Sequence, residues 1–207
     1  MNTVIGVDPS MTRTGVAVWH NGKVSTYSIN TSTGDGPRVA RERIILGRIM
    51  PWVGLREPHG EGWPEWSPDA TSVTAVVEAV HMVPQKRGRT SLDLAGLHDV
   101  IVYGFHARRV PVAVVVPQHL KQFATANGAA NKAAMVEAAR ALLGISVTNH
   151  DEADALWAMA LGVVCGGGRI NEWPPVPKQG WGQADADRLA GLCSKVQWIR
   201  RDEESPS

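Results

Sequence analysis

Hydrophobic and polar positions alternate along the chain in patterns that separate strands from helices. Val4, Ile5, Gly6 and Val7 form a short continuous apolar run closed by Asp8. Pro9-Ser10 marks a turn, and Gly15 opens a second run, Val16-Ala17-Val18-Trp19. This reads as two antiparallel strands joined by a polar loop, with a carboxylate at the mouth of the first. From Lys23 to Ile29, Val24, Thr26 and Ser28 alternate with Ser25, Tyr27 and Ile29, which predicts a third strand. Pro37 suits the first turn of a helix through Val39, Ile44, Ile45, Leu46 and Ile49, stopped by Pro51. Ser72 to Val80 repeats the apolar-strand pattern and again ends in an acid, Glu78.

The second half is mostly helical. Thr90 or Ser91 can cap a helix running to about Ala107, with Leu94, Leu97, Ile101 and Phe105 on one stripe. Gly96, Val100, Tyr103 and Ala107 form a second stripe, so this helix is apolar nearly all round. Val112 to Val116 has the unbroken apolar character of a parallel strand buried on both faces. A short helix and loop follow from Pro117 to Asn127, then a helix from Asn131 to Leu143 that Gly144 stops. A last core helix runs from near His150 to Cys165, with Ala153, Leu156, Trp157, Ala160, Leu161 and Val164 on its apolar stripe. The order β-β-β-α-β-α-β-α-α predicts an α/β fold. Its mixed five-stranded sheet has three antiparallel strands first and helices on both faces.

Two segments interrupt or extend this plan. Residues 56–69, rich in Gly, Pro, Glu and Trp, read as a surface insertion within a domain spanning 1–168. Residues 169–207 read as a C-terminal extension with an extended Trp/Pro linker (Trp173 to Pro177), a small terminal helix between Asp185 and Arg201, and a disordered end.

Composition narrows the class. In 207 residues, 43% are apolar and 20% charged, as in an ordinary soluble globular protein. No membrane-spanning run or signal-peptide pattern occurs, which predicts no membrane association and a cytoplasmic location, in the host cytoplasm if phage-encoded. Cys165 and Cys193 lack any metal-ligand spacing and read as reduced thiols. The net charge of +1 points to no partner, but its distribution does: His81 to Arg140 holds eight Lys/Arg against three Asp/Glu. A locally basic middle suits phosphate contact, and also a merely solvated face.

The acids carry the chemistry. Strands that end side by side bring their last side chains together, which would place Asp8 beside Glu78. Asp151 and Asp154, at i and i+3, share one side of the first turn of the last core helix. Acids in a first turn also favour the helix dipole, so Asp151, Glu152 and Asp154 have a purely structural reading as well. Four converging carboxylates repel one another unless cations join them, and hard oxygen ligands suit Mg²⁺ or Mn²⁺. Two such ions about 4 Å apart are a known device for in-line phosphodiester hydrolysis.

The segments Gly6-Val7-Asp8-Pro9-Ser10, Thr14-Gly15-Val16-Ala17-Val18, Val76-Val77-Glu78-Ala79-Val80 and His150-Asp151-Glu152-Ala153-Asp154-Ala155-Leu156 resemble the RuvC-type Holliday-junction resolvases of the retroviral-integrase superfamily. The resemblance spans roughly Thr3 to Val164 and implies a ribonuclease-H-like fold. It further implies an endonuclease that resolves four-way DNA junctions with two Mg²⁺ ions (Mn²⁺ substituting) held by Asp8, Glu78, Asp151 and Asp154. By the same resemblance, Lys121 and Lys132 take the positions of two lysines that serve junction binding and catalysis. Three residues after Glu78, where bacterial enzymes of the family carry a junction-wedging aromatic, this chain has His81.

The basic loop beyond Glu78 adds Lys86, Arg87 and Arg89 as candidate DNA contacts, and the helix 91–107 is the candidate homodimer face. Three further readings remain beside the resolvase: a broader flap or fork endonuclease on the same acids, a non-catalytic nucleic-acid-binding relative, and an actin-like sugar kinase. The last is disfavoured because the chain is short and lacks a second Gly-rich phosphate loop.

Overall fold

The computed structural model describes residues 3–53, 73–80, 89–166, 190–195 and 197–199. Its strands are β1 (Thr3–Asp8), β2 (Arg13–His20), β3 (Lys23–Asn30), β4 (Val73–Glu78), β5 (Val112–Val115) and β6 (Gln197–Ile199). The helices are α1 (Arg38–Ile49), α2 (Arg89–His106), α3 (Pro117–Thr125), α4 (Lys132–Ala138) and α5 (His150–Cys165). α4 continues into a wider π turn over Ala139–Leu143. The sheet order is β3-β2-β1-β4-β5-β6, with β1–β2 and β2–β3 antiparallel and β1–β4 and β4–β5 parallel. The first five strands follow the sequence expectation. The sixth, antiparallel to β5, falls where a terminal helix was expected. Three residues are too few for an alternation to show.

Period-two alternation sorts the strand residues onto two faces. Ile5, Val7, Val16, Val18, Ala75 and Val77 pack with Ile45, Ile49, Leu97, Ile101 and Phe105 of α1 and α2. Val4, Ala17, Val76 and Ala113 pack on the other side against α5, which α3 and α4 cover in turn. α5 is therefore a central helix, buried over most of its length, and Trp157 donates its Nε1–H to the Met135 carbonyl at 3.0 Å. The first stripe of α2 is inward as expected, whereas Val39 and Ile44 of α1 point outward, 68% and 39% exposed.

α5 lies unusually close to the sheet because glycines floor it. A Cβ on Gly6 would stand 2.1 Å from the Ala155 carbonyl oxygen, and one on Gly15 would stand 2.0 Å from that of Asp151. Gly15 pairs with Asp8 across β1 and β2, so the first turn of α5 rests directly over the end of β1.

Cys165, at the end of α5, is disulfide-bonded to Cys193, with a Cα separation of 5.5 Å. This corrects the expectation of reduced thiols. A spacing of 28 residues without a motif gives no sign of the pairing, which arises because a helical turn at 190–194 lies against the C-terminus of α5. Among the described residues, no helix is long and apolar enough to cross a membrane.

Candidate active site

The same alternation that builds the core aims the acids. Asp8 follows Val4 and Gly6 on the α5 face of β1, and Glu78 follows Val76 on the α5 face of β4. Parallel pairing through Val7 and Val77 sets the two strand ends level. Asn149 caps α5, its Oδ1 accepting from the backbone N–H groups of Asp151 and Glu152 at 3.0 Å each. The capped turn delivers Asp154 to the same point. One carboxylate oxygen from each of Asp8, Glu78 and Asp154 lies within 4.8 Å of the others.

Three partly buried carboxylates at this distance disfavour their charged forms. Burial and the charges of Glu78, Asp154 and Asp151 push Asp8 well above the usual carboxylate range. Glu78 is pushed up to about 8, mainly by burial and then by Asp154, and burial is also the main cause of the rise at Asp154. The positive charges of Lys121 and Lys132 act the other way, on Glu78 and Asp154 alike. The donor set is all oxygen, so it fits a hard divalent cation rather than a thiophilic one.

These directions fix a pH dependence for the chelated protein. The native state keeps protons on the cluster that the unfolded chain releases at ordinary carboxylate pKa, so stability falls as pH rises. The contribution is full below the unfolded pKa and is lost as pH rises through the folded value, about 8 for Glu78. Melts between about pH 5 and 9 should show this decline in chelator, and saturating Mg²⁺ should flatten it. A chelated protein equally stable across that range would contradict the crowding of the three acids.

Asp151 stands apart. It is 8% exposed, yet it does not join the three-oxygen cluster. Arg13, at the start of β2, donates from Nε to Asp151 Oδ2. The His150 ring lies alongside, its Nδ1 2.7 Å from Asp151 Oδ1 and 3.0 Å from Lys132 Nζ. The i, i+3 spacing placed both aspartates on one side of the helix, but Asp151 is engaged by the Arg13 guanidinium from the start of β2 and stays out of the three-oxygen cluster. Arg13 was not singled out in the sequence, where it is one polar residue in a polar loop. Its spacing of five residues from Asp8 across a tight turn was the available signal.

Glu152 is structural. Its carboxylate accepts from Ser28 Oγ and Thr148 Oγ1, each at 2.8 Å, and from the Thr148 N–H at 3.1 Å. Burial raises its pKa, but the hydrogen bonds from Thr148, Ser28 and Asn149 outweigh that and leave it below the usual value. It ties α5 to β3, behind the acidic cluster. His81, Lys86 and Arg87 lie outside the described residues, as does the side chain of Arg89; so do the insertion 56–69 and most of the extension.

Comparison with known proteins points one way. The chain is 30% identical over 160 residues to the crossover junction endodeoxyribonuclease RuvC of Nocardia farcinica, covering 77% of this chain and 78% of that one. It is 28% identical over 210 residues to the protein of the same name from Bifidobacterium adolescentis, covering 96% and 98%. A third, from Corynebacterium efficiens, is 28% identical over 163 residues, and the match spans 66% of that relative's length. The structure of T. thermophilus RuvC in complex with a Holliday junction substrate superposes with a TM-score of 0.56 at 19% identity, over 77% of this chain and 90% of that one. That likeness establishes the ribonuclease-H-like fold. No family model matches the chain.

Proposed function

The chain belongs to the RuvC family of crossover junction endodeoxyribonucleases, and from that premise we propose that it resolves four-way DNA junctions by paired, metal-dependent phosphodiester hydrolysis. The observation that carries this reading is the trio Asp8, Glu78 and Asp154, drawn from three separate elements to within 4.8 Å. Among the described residues, no hydrogen bond or ion pair compensates these carboxylates. Mg²⁺ is the ion proposed, two per site with Asp151 as the fourth ligand, and Mn²⁺ should substitute. When bound, such ions activate the attacking water and stabilise the leaving oxygen.

The chain's own residues do the rest. The three acids supply fixed negative oxygens in a partly desolvated mouth and hold no proton once a cation is present. Lys132 and Lys121 bring positive charge to the same mouth, suited to the scissile phosphate and the strand around it. His81, Lys86, Arg87 and Arg89 are proposed to extend this grip along the branch. The test is incubation with Mg²⁺ and labelled four-way junction, fork and linear duplex, with the cuts mapped. Symmetric nicks in the junction alone support resolution. Equal cutting of the fork would mean a broader branched-DNA nuclease.

A homodimer through α2 is part of the same proposal. Leu92 and Tyr103 on its outer face are 63% and 71% exposed, and the neighbouring outer face of α1 presents Val39 and Ile44 around an open groove. Apolar surface of this kind marks an association site, and a nearly two-fold junction cut twice calls for two sites. Replacing both Val100 and Tyr103 with Glu should give a folded monomer that cuts poorly. A wild-type protein that scatters light as a monomer at high concentration would remove this part.

A further inference from the structure

The site contains two kinds of carboxylate. Asp8, Glu78 and Asp154 have no direct cationic partner among the described residues, whereas Asp151 is ion-paired to Arg13 and flanked by His150. Arg13 is held ready for this contact. Its backbone N–H donates to Ser10 Oγ at 3.3 Å, and Ser10 is closed onto Thr14, whose Oγ1 donates to the Ser10 carbonyl at 2.7 Å. The Arg13 side chain is 39% exposed, so it can reach solvent, and hence a nucleic-acid backbone, without unfolding the loop.

We propose that Arg13 is a positioning residue that stands in for the second metal ion at Asp151, and that this ion binds firmly only when a DNA phosphate draws Arg13 away. The inference rests on the metal-dependent nuclease reading. The trio takes the first ion in the free protein, because no guanidinium has to be displaced from it. The second ion must compete with a guanidinium already bonded to its ligand. A phosphate offers Arg13 an equivalent charge-assisted partner, so DNA binding frees Asp151 at the moment it is needed. Loading of the complete metal set is thereby tied to substrate, and the DNA-free protein is left without a fully assembled centre.

The experiment is a Mn²⁺ titration of the full chain without DNA, read by electron paramagnetic resonance of the free ion and by calorimetry. Wild type should bind one ion tightly and a second weakly. Arg13→Gln should tighten the second ion by about tenfold, the equivalent of losing one charge-assisted hydrogen bond, and leave the first unchanged. Arg13→Lys, which keeps the charge, should hold the second ion weak. Asp151→Asn should remove the second ion and keep the first. In four-way-junction binding, Arg13→Gln should make the salt dependence shallower by about one phosphate contact.

An Arg13→Gln protein with wild-type affinity for the second ion overturns the proposal, as does a wild type that binds two ions equally tightly. Should Arg13→Gln fail to fold, Asp151→Asn decides: two-ion binding unchanged from wild type refutes the role of Asp151. Asp8→Asn separates this from the underlying reading, since a first ion that survives it means that the metal site itself is misassigned.

Discussion

Asp8→Asn is expected to lower junction cleavage by several orders of magnitude while leaving junction binding within a few-fold of wild type. Burial, and then the charges of Glu78, Asp154 and Asp151, hold the Asp8 carboxyl well above the usual carboxylate range. An amide there keeps shape and volume but removes the anionic oxygen that a cation needs, so both nucleophile activation and charge stabilisation fail together. The proposed DNA contacts lie on other groups, the lysines and the basic loop, so binding should persist. Stability gives an independent readout. Removing one of three crowded carboxylates relieves repulsion and desolvation, so the chelated variant should melt no lower than the chelated wild type near pH 8. Loss of activity with a preserved or raised melting temperature identifies a chemical role. Near wild-type cleavage would sink the assignment of the site.

The comparison of Asp8 with Asp151 shows what kinds of information a sequence carries. Asp8 and Glu78 were legible because each closes an apolar run, and a strand's period of two then determines the face on which its last residue lies. The start of α5 near His150 was legible from the apolar stripe that begins at Ala153, whereas its Asn149 cap was not singled out. What fixes Asp151 is a partner 138 residues away in sequence, and nothing in either local pattern registers it. The Cys165–Cys193 bond and the strand Gln197–Ile199 were hidden in the same manner, since both depend on where the extension docks. The outward turn of Val39 and Ile44 was not legible, because the apolar positions of α1 do not by themselves say which of them face the core. One-sided apolar patterning does not tell burial in the core from burial between molecules.

Gly15→Ala is expected to be the most damaging change outside the acids, although a methyl group is all it adds. Periodicity marked Gly15 only as the start of a strand. Its neighbours explain why no side chain stands there: the new Cβ would lie 2.0 Å from the Asp151 carbonyl oxygen and 2.4 Å from its carbonyl carbon. These are backbone atoms of a capped first turn, so no rotamer change can make room and the turn must lift. Asn149, Glu152 and Ser28 bind that turn to β3, so lifting it strains three hydrogen-bonded side chains as well. Overpacking of this sort costs about 1–3 kcal/mol, and at roughly 2–4 °C per kcal/mol for a chain of this size the melting temperature should fall by about 2–12 °C. Activity should fall further than stability requires. Asp154 follows directly on that turn in the same helix, and a displacement of about 1 Å in a positioned catalytic group can cost on the order of a hundredfold in rate. Gly162→Ala, which meets the Val76 and Val4 side chains at 2.7 and 2.8 Å two turns beyond Asp154 along α5, strains the packing without lifting the acid-bearing turns directly. It should therefore destabilise by a similar amount with a smaller loss of cleavage per degree. Thermal melts and junction-cleavage rates measured well below both melting temperatures separate the two. Equal activity losses for the two variants at matched stability would mean that the floor beneath Asp151 has no special part in placing Asp154.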